Sequence, residues 1–154
     1  MRTLLLSFLI TLAVTPVYSQ SSEKKALKIF IKNFFEALHK KDTTYLGAQF
    51  REGAVLSTQF VSEGTPTLFS SDVSAFLENI YAFKDQEMEE TVKHMKIHID
   101  GDLAHLWMKY KFYFNGELQH IGSNSFSMVK ENGRWVIRDL IDTYYPVENK
   151  KGGQ

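Results

Sequence analysis

Three dipeptides in the second half of the chain, Asp100-Gly101, Asn115-Gly116 and Asn132-Gly133, constrain the fold more than any other feature. Each suits a two-residue hairpin loop, whose central positions need positive φ; glycine adopts it freely and Asn or Asp at modest cost. Around these turns the apolar period is two: Met95, Ile97 and Ile99 alternate with His94, Lys96 and His98. The pattern predicts strands over 91–99, 103–114, 117–129 and 135–144, joined as an antiparallel meander.

The first half has the other period. Leu27, Phe30, Ile31, Phe34 and Leu38 form one stripe of a helix over 21–41, with lysines opposite. Asp42 is placed to cap a short second helix ending near Phe50. Two short strands, 54–60 and 65–69, flank Glu63-Gly64. Ser70 or Ser71 is then expected to cap a third helix with the stripe Val73, Phe76, Leu77, Ile80 and Tyr81. Helices followed by a meander define an α+β fold, a cone-shaped curved antiparallel sheet wrapped around the long N-terminal helix. The 12 Phe, 7 Tyr and 2 Trp suit such a sheet.

Hairpin pairing assigns the faces. An Asp100-Gly101 turn pairs Ile97 with Ala104, and slipping it to Gly101-Asp102 changes no facing. Leu106, Met108, Tyr110, Phe112 and Phe114 therefore point to the core, and His105, Trp107, Lys109, Lys111 and Tyr113 away from it. Ile121 has the opposite parity to Phe126 and Met128, so a β-bulge is expected at Gly122. The Asn132-Gly133 turn then pairs Met128 with Ile137, Phe126 with Asp139 and Asn124 with Ile141. Asn124, Phe126, Met128, Trp135, Ile137, Asp139 and Ile141 become the inward set. A shift in this strand exchanges Asp139 for Asp142.

Residues 1–19 carry Arg2, an apolar run from Leu4 to Val14, and Val17-Tyr18-Ser19. This is the composition of a cleavable signal peptide, with an apolar run too short for a membrane span. The expected organisation is a leader over 1–19, one domain over 20–146 and a disordered tail over 147–154. The expected location is periplasmic or secreted, which the absence of cysteine suits. Basic and acidic residues balance at 18 each, and the leader's only charge is Arg2. The near-neutral remainder argues against a nucleic-acid partner.

Phe34-Phe35-Glu36-Ala37-Leu38 with Lys41-Asp42, and Phe50 to Val55, resemble segments of the nuclear transport factor 2-like superfamily. Asp100 to Trp107, Asn124-Ser125-Phe126 and Gly133 to Ile137 look most like its SnoaL-like, lumazine-binding bacterial branch. The resemblance spans nearly all of the mature chain and implies a conical pocket and frequent homodimers through the outer sheet face. The superfamily holds isomerases, dehydratases, cyclases and non-enzymatic modules, so it implies no single activity. Where its ketosteroid isomerases carry a Tyr, an Asp base and a protonated Asp, this chain carries Phe34, Thr58 and Asn124. Phe34 donates no hydrogen bond and Thr58 is no carboxylate base, so that reaction is not expected.

Three readings follow. The first is an exported domain binding a small hydrophobic or partly polar molecule in an apolar cone lined by Phe34, Thr58, Met108, Tyr110, Asn124, Phe126 and Trp135. The second is a SnoaL-like isomerase, dehydratase or cyclase in which desolvated Asp139 is the acid/base and Tyr110 and Asn124 polarise the substrate. The third is an interaction module whose cone is filled core. A homodimer through the outer face (His105, Trp107, Lys109, Tyr113) is expected from its exposed aromatics. No metal site is expected, because His94 and His98 stand about 13 Å apart on a strand. No cofactor is expected either, since phosphate-loop and nucleophile-elbow motifs are lacking.

Overall fold

Burial of the apolar stripe on α1 (Ser19–Lys40) organises the molecule. Leu27, Ile31, Phe34, Phe35 and Leu38 lose nearly all their exposure against one sheet. The computed structural model describes residues 19–147. The expected leader, apart from Ser19, and the expected tail beyond residue 147 lie outside the described residues.

Lys41, at a left-handed φ of 53°, ends α1, and Asp42 caps α2 (Thr43–Gly47) by accepting the Tyr45 N–H at 2.9 Å. The first two strands, β1 (Phe50–Ser62) and β2 (Thr65–Asp72), are longer than their patterns suggest. β2 absorbs Ser70 and Ser71, so the cap of α3 (Val73–Ala82) is Asp72, which accepts the Ala75 N–H at 2.8 Å. The meander consists of β3 (Met88–Asp100), β4 (Leu103–Phe114), β5 (Glu117–Glu131) and β6 (Arg134–Pro146).

Among the described residues these strands form one six-stranded sheet in the order β2-β1-β6-β5-β4-β3, curved and unclosed. The expected α+β architecture is present, with one difference: β1 joins the meander through a parallel pairing with β6. Asn115-Gly116 and Asn132-Gly133 have positive φ at both positions, as their hairpins require. At the third turn, Leu103 pairs with Asp100, so the loop is Gly101-Asp102, with positive φ only at Gly101. His98 and His105 are consequently cross-strand partners, and the facing of β4 is as expected.

The bulges lie elsewhere than at Gly122, which pairs regularly with Tyr110 and Tyr144. In β5 the extra residue is Gln119, and in β6 it is Arg138, between the pairs Met128–Ile137 and Ser127–Asp139. Past Arg138 the parity is reversed from the expected one. Leu140 and Asp142 turn inward beside Phe126 and Asn124, and Asp139 and Ile141 turn outward. Gly122 is required for another reason. A Cβ there would stand 1.8 Å from the Thr143 carbonyl oxygen and 2.6 Å from the Tyr110 ring.

Candidate functional site

The concave face changes character along its length. Near the β5–β6 turn it is close-packed hydrocarbon: Leu106, Met108, Phe126, Met128 and Ile137 have no exposed surface. Phe34 fills the centre, edge-on to Phe126 at 5.6 Å and to Phe50 at 6.0 Å. Phe34, Met108 and Phe126, expected to line a pocket, are therefore packed core. Trp135 is at this end too, its indole N–H donating to Glu23 at 2.7 Å. Seven residues of β6, about 23 Å of strand, separate it from Asp142.

Toward the β4–β5 turn the same face becomes polar. Tyr110, almost fully buried, places its hydroxyl 3.0 Å from Asp142 Oδ2, 3.0 Å from the Thr143 carbonyl and 3.1 Å from His120 Nδ1. A phenol has one proton, which serves the two oxygens, so His120 satisfies the third contact by donating its Nδ1 hydrogen. His120 Nε2 is then left as an acceptor. The imidazole is sandwiched between the rings of Phe112, at 4.6 Å, and Tyr144, at 4.3 Å. Burial there lowers its pKa from 6.5 to about 4, so it is neutral at physiological pH.

Two carboxyls share this region. Asp142 is raised above the usual aspartate range, chiefly by burial, against hydrogen bonds from Thr58 and Tyr110. Glu90, on β3, accepts from Asn124 Nδ2 at 2.6 Å. Burial raises it from 4.5 to about 8, with a further rise from the nearby Asp142 charge. The C-terminal end of α1 is fixed here as well, because His39 Nε2 lies 2.9 Å from the Glu90 amide nitrogen. Tyr110 is raised too, through burial and then Asp142. Three of its titratable groups are held uncharged: a protonated Glu90, a neutral His120 and an un-ionised phenol. It can donate hydrogen bonds to a hydroxyl or carbonyl and accept a proton at Asp142.

The structure thus brings Tyr110, Asn124 and Thr58 together and leaves Asp139 out. Asp139, whose side chain is 46% exposed, pairs with Arg138 at 2.7 Å on the outer face. The Arg138 bulge is the reason, and a catalytic role built on a desolvated Asp139 falls with it. Glu90 and His120 were missed as partners. Inward parity on β3 continues from Ile97 to Glu90 only across a further bulge, between Lys93 and Lys96. His120 is displaced by the extra residue at Gln119.

On the outer face, Lys96 and Lys109 flank the Trp107 ring at 5.6 and 5.5 Å, and His105 Nε2 contacts Ser125 Oγ at 2.9 Å. No group of three His, Asp or Glu side chains among the described residues is placed to hold a metal ion. Among the same residues no helix is long and apolar enough to cross a membrane.

No protein-family model matches the chain, and no curated protein matches it. Solved structures do. A protein of unknown function with a cystatin-like fold from Nostoc punctiforme superposes with a TM-score of 0.65 at 14% identity, covering 82% of this chain and 94% of its own. The beta subunit of a candidate aromatic-ring-hydroxylating dioxygenase from Novosphingobium aromaticivorans gives 0.67 at 13% identity, covering 83% and 92%. A candidate dehydratase of the nuclear transport factor 2-like family from Streptomyces avermitilis gives 0.64 at 12% identity, covering 82% and 99%. The chain has the nuclear transport factor 2-like fold. At these identities the likeness is one of fold.

Proposed function

We propose that this chain is an exported binding domain for a small, uncharged, partly polar molecule, held at the polar end of the cone. One observation carries the reading: Tyr110, His120, Asn124, Asp142 and Glu90 converge on one face as a hydrogen-bonded, largely uncharged set among aromatic rings. Such a set favours a hydroxyl or carbonyl over an anion, which would have to be desolvated without a countercharge. The reading puts the guest near Thr58, Tyr110, His120, Asp142 and Tyr144, supported by the close packing of the inner end of the cone. Export is part of the proposal and is supported by the leader composition of residues 1–19.

A second reading, acid–base turnover at the same place, is favoured by the unlike surroundings of the two carboxyls. Glu90, protonated near neutrality, is the proton donor, and Asp142, bonded by Thr58 and Tyr110, is the acceptor. This is the chemistry of an isomerase or dehydratase, and the candidate dehydratase among the fold neighbours is compatible with it.

The test is a nuclear magnetic resonance titration with a panel of small alcohols, ketones and carboxylates. Neutral members are expected to shift the Asn124 side-chain amide, and Tyr110→Phe to weaken them about tenfold. Hits that leave the Asn124 amide and the Tyr110 substitution without effect defeat the proposal.

A further inference from the structure

On the opposite side of the sheet, β3, β4, β5 and β6 enclose a depression of about 340 Å3. We propose that it is a second site, for a small amphipathic carboxylate with an apolar or aromatic body.

Its charge is one-sided. Lys93 stands directly across from Lys109, Lys111 follows two places on along the same face, and His94 completes the lining. No carboxylate contributes to it. The nearest acid on this face of β3 is Glu89, which pairs with Tyr113 beyond the depression. Among the described residues the side chains of Lys93 and Lys111 make no hydrogen bond or ion pair, and that of Lys109 has only the Trp107 ring. Like charges directly opposed across a strand pair destabilise a sheet, and an anion seated between them relieves that.

The walls are apolar. Ile121 and Tyr145, paired across β5 and β6, remain 40% and 55% exposed, and lysine stems extend the surface. A depression of this size is at the small end of ligand pockets, which start at about 300 Å3. Within the lining His94 is held at a φ of 55° in the β3 bulge, a left-handed conformation uncommon outside glycine. Positive charge around an apolar floor selects an anion with a greasy body. A second copy of the chain is a poorer occupant, because a two-fold contact here would set the lysines of one protomer against the same set on the other.

The probe is 1-naphthoate, measured by calorimetry against the full chain, with 1-naphthalenemethanol as its neutral counterpart. The carboxylate is expected to bind at least about tenfold more tightly than the alcohol, and less tightly as salt rises. The pair Lys93→Glu and Lys111→Glu is expected to abolish binding. The milder Lys111→Gln is expected to weaken it several-fold with the circular dichroism spectrum unchanged. Equal binding of acid and alcohol overturns the proposal. So does naphthoate binding that ignores both sets of substitutions. Sedimentation showing a dimer that the charge reversal dissociates, with no naphthoate bound to the native chain, also overturns it and makes a second copy the occupant.

Discussion

Burial lifts the Glu90 carboxyl from 4.5 to about 8, so the folded chain keeps a proton that the unfolded chain releases. The stability tied to this group is complete below pH 4.5 and is lost as pH rises toward 8. His120 has the opposite sign. Its imidazole is lowered from 6.5 to about 4, so stability is lost as pH falls through that interval. The two slopes oppose each other between 4.5 and 6.5, and above 6.5, where the His120 slope has ended, the Glu90 slope persists. Glu90→Gln is therefore expected to flatten the decline of unfolding free energy above pH 6.5, read from urea denaturation at stepped pH. A decline there that matches wild type contradicts the burial of this carboxyl. Gly122 supplies a second test at this scale. Gly122→Ala drives a methyl into the Thr143 carbonyl and the Tyr110 ring, and a loss of about 2–3 kcal/mol is expected in thermal or chemical melts. A variant as stable as wild type would show that β5 and β6 are not so close at this point.

Bulges decide which residues meet, and they explain what the sequence conceals. The strands, the two Asn-Gly turns and the inward parity of β4 are all visible as alternation and turn chemistry. A bulge formed by an ordinary residue leaves no such mark, because the extra residue adopts a common backbone conformation and needs no glycine. Arg138 and Gln119 are residues of this kind. Gly122 looked like the bulge because glycine in a strand signals either a bulge or a close approach, and here it is the close approach. The exchange of Asp139 for Asp142 has the other cause, the unmarked extra residue at Arg138. The β3 bulge does carry strain, at His94. His94→Gly is expected to raise stability by about 1 kcal/mol, since glycine adopts positive φ without a Cβ clash. A destabilised variant would mean that the His94 side chain contributes more than its backbone costs.

At the scale of the molecule, α1 is fixed at both ends. Glu23 near its start accepts from Lys130 and from Trp135, both at 2.7 Å, on the β5–β6 hairpin. These bonds lower its pKa, the one from Lys130 foremost. His39 near its end meets the backbone of Glu90. Glu23→Ala leaves the Trp135 N–H without this acceptor, and a loss of about 1–3 kcal/mol is expected from denaturant titration. An unchanged midpoint would show that the latch adds nothing to packing. Partners this far apart in sequence have no local signature. The Glu90–Asn124 bond follows from the sheet order and the registers, and the Glu23–Trp135 bond from where α1 lies on the sheet.

The central claim is that the polar end of the cone, around Tyr110, Asn124 and Asp142, holds a small uncharged guest. Native mass spectrometry of the protein recovered from its own host tests it most directly, run on wild type and on the Tyr110→Phe, Asp142→Asn double variant. The expected result is a bound neutral small molecule on the wild type that is absent from the double variant, at matched thermal stability. A bound species retained in full by the double variant would contradict the claim.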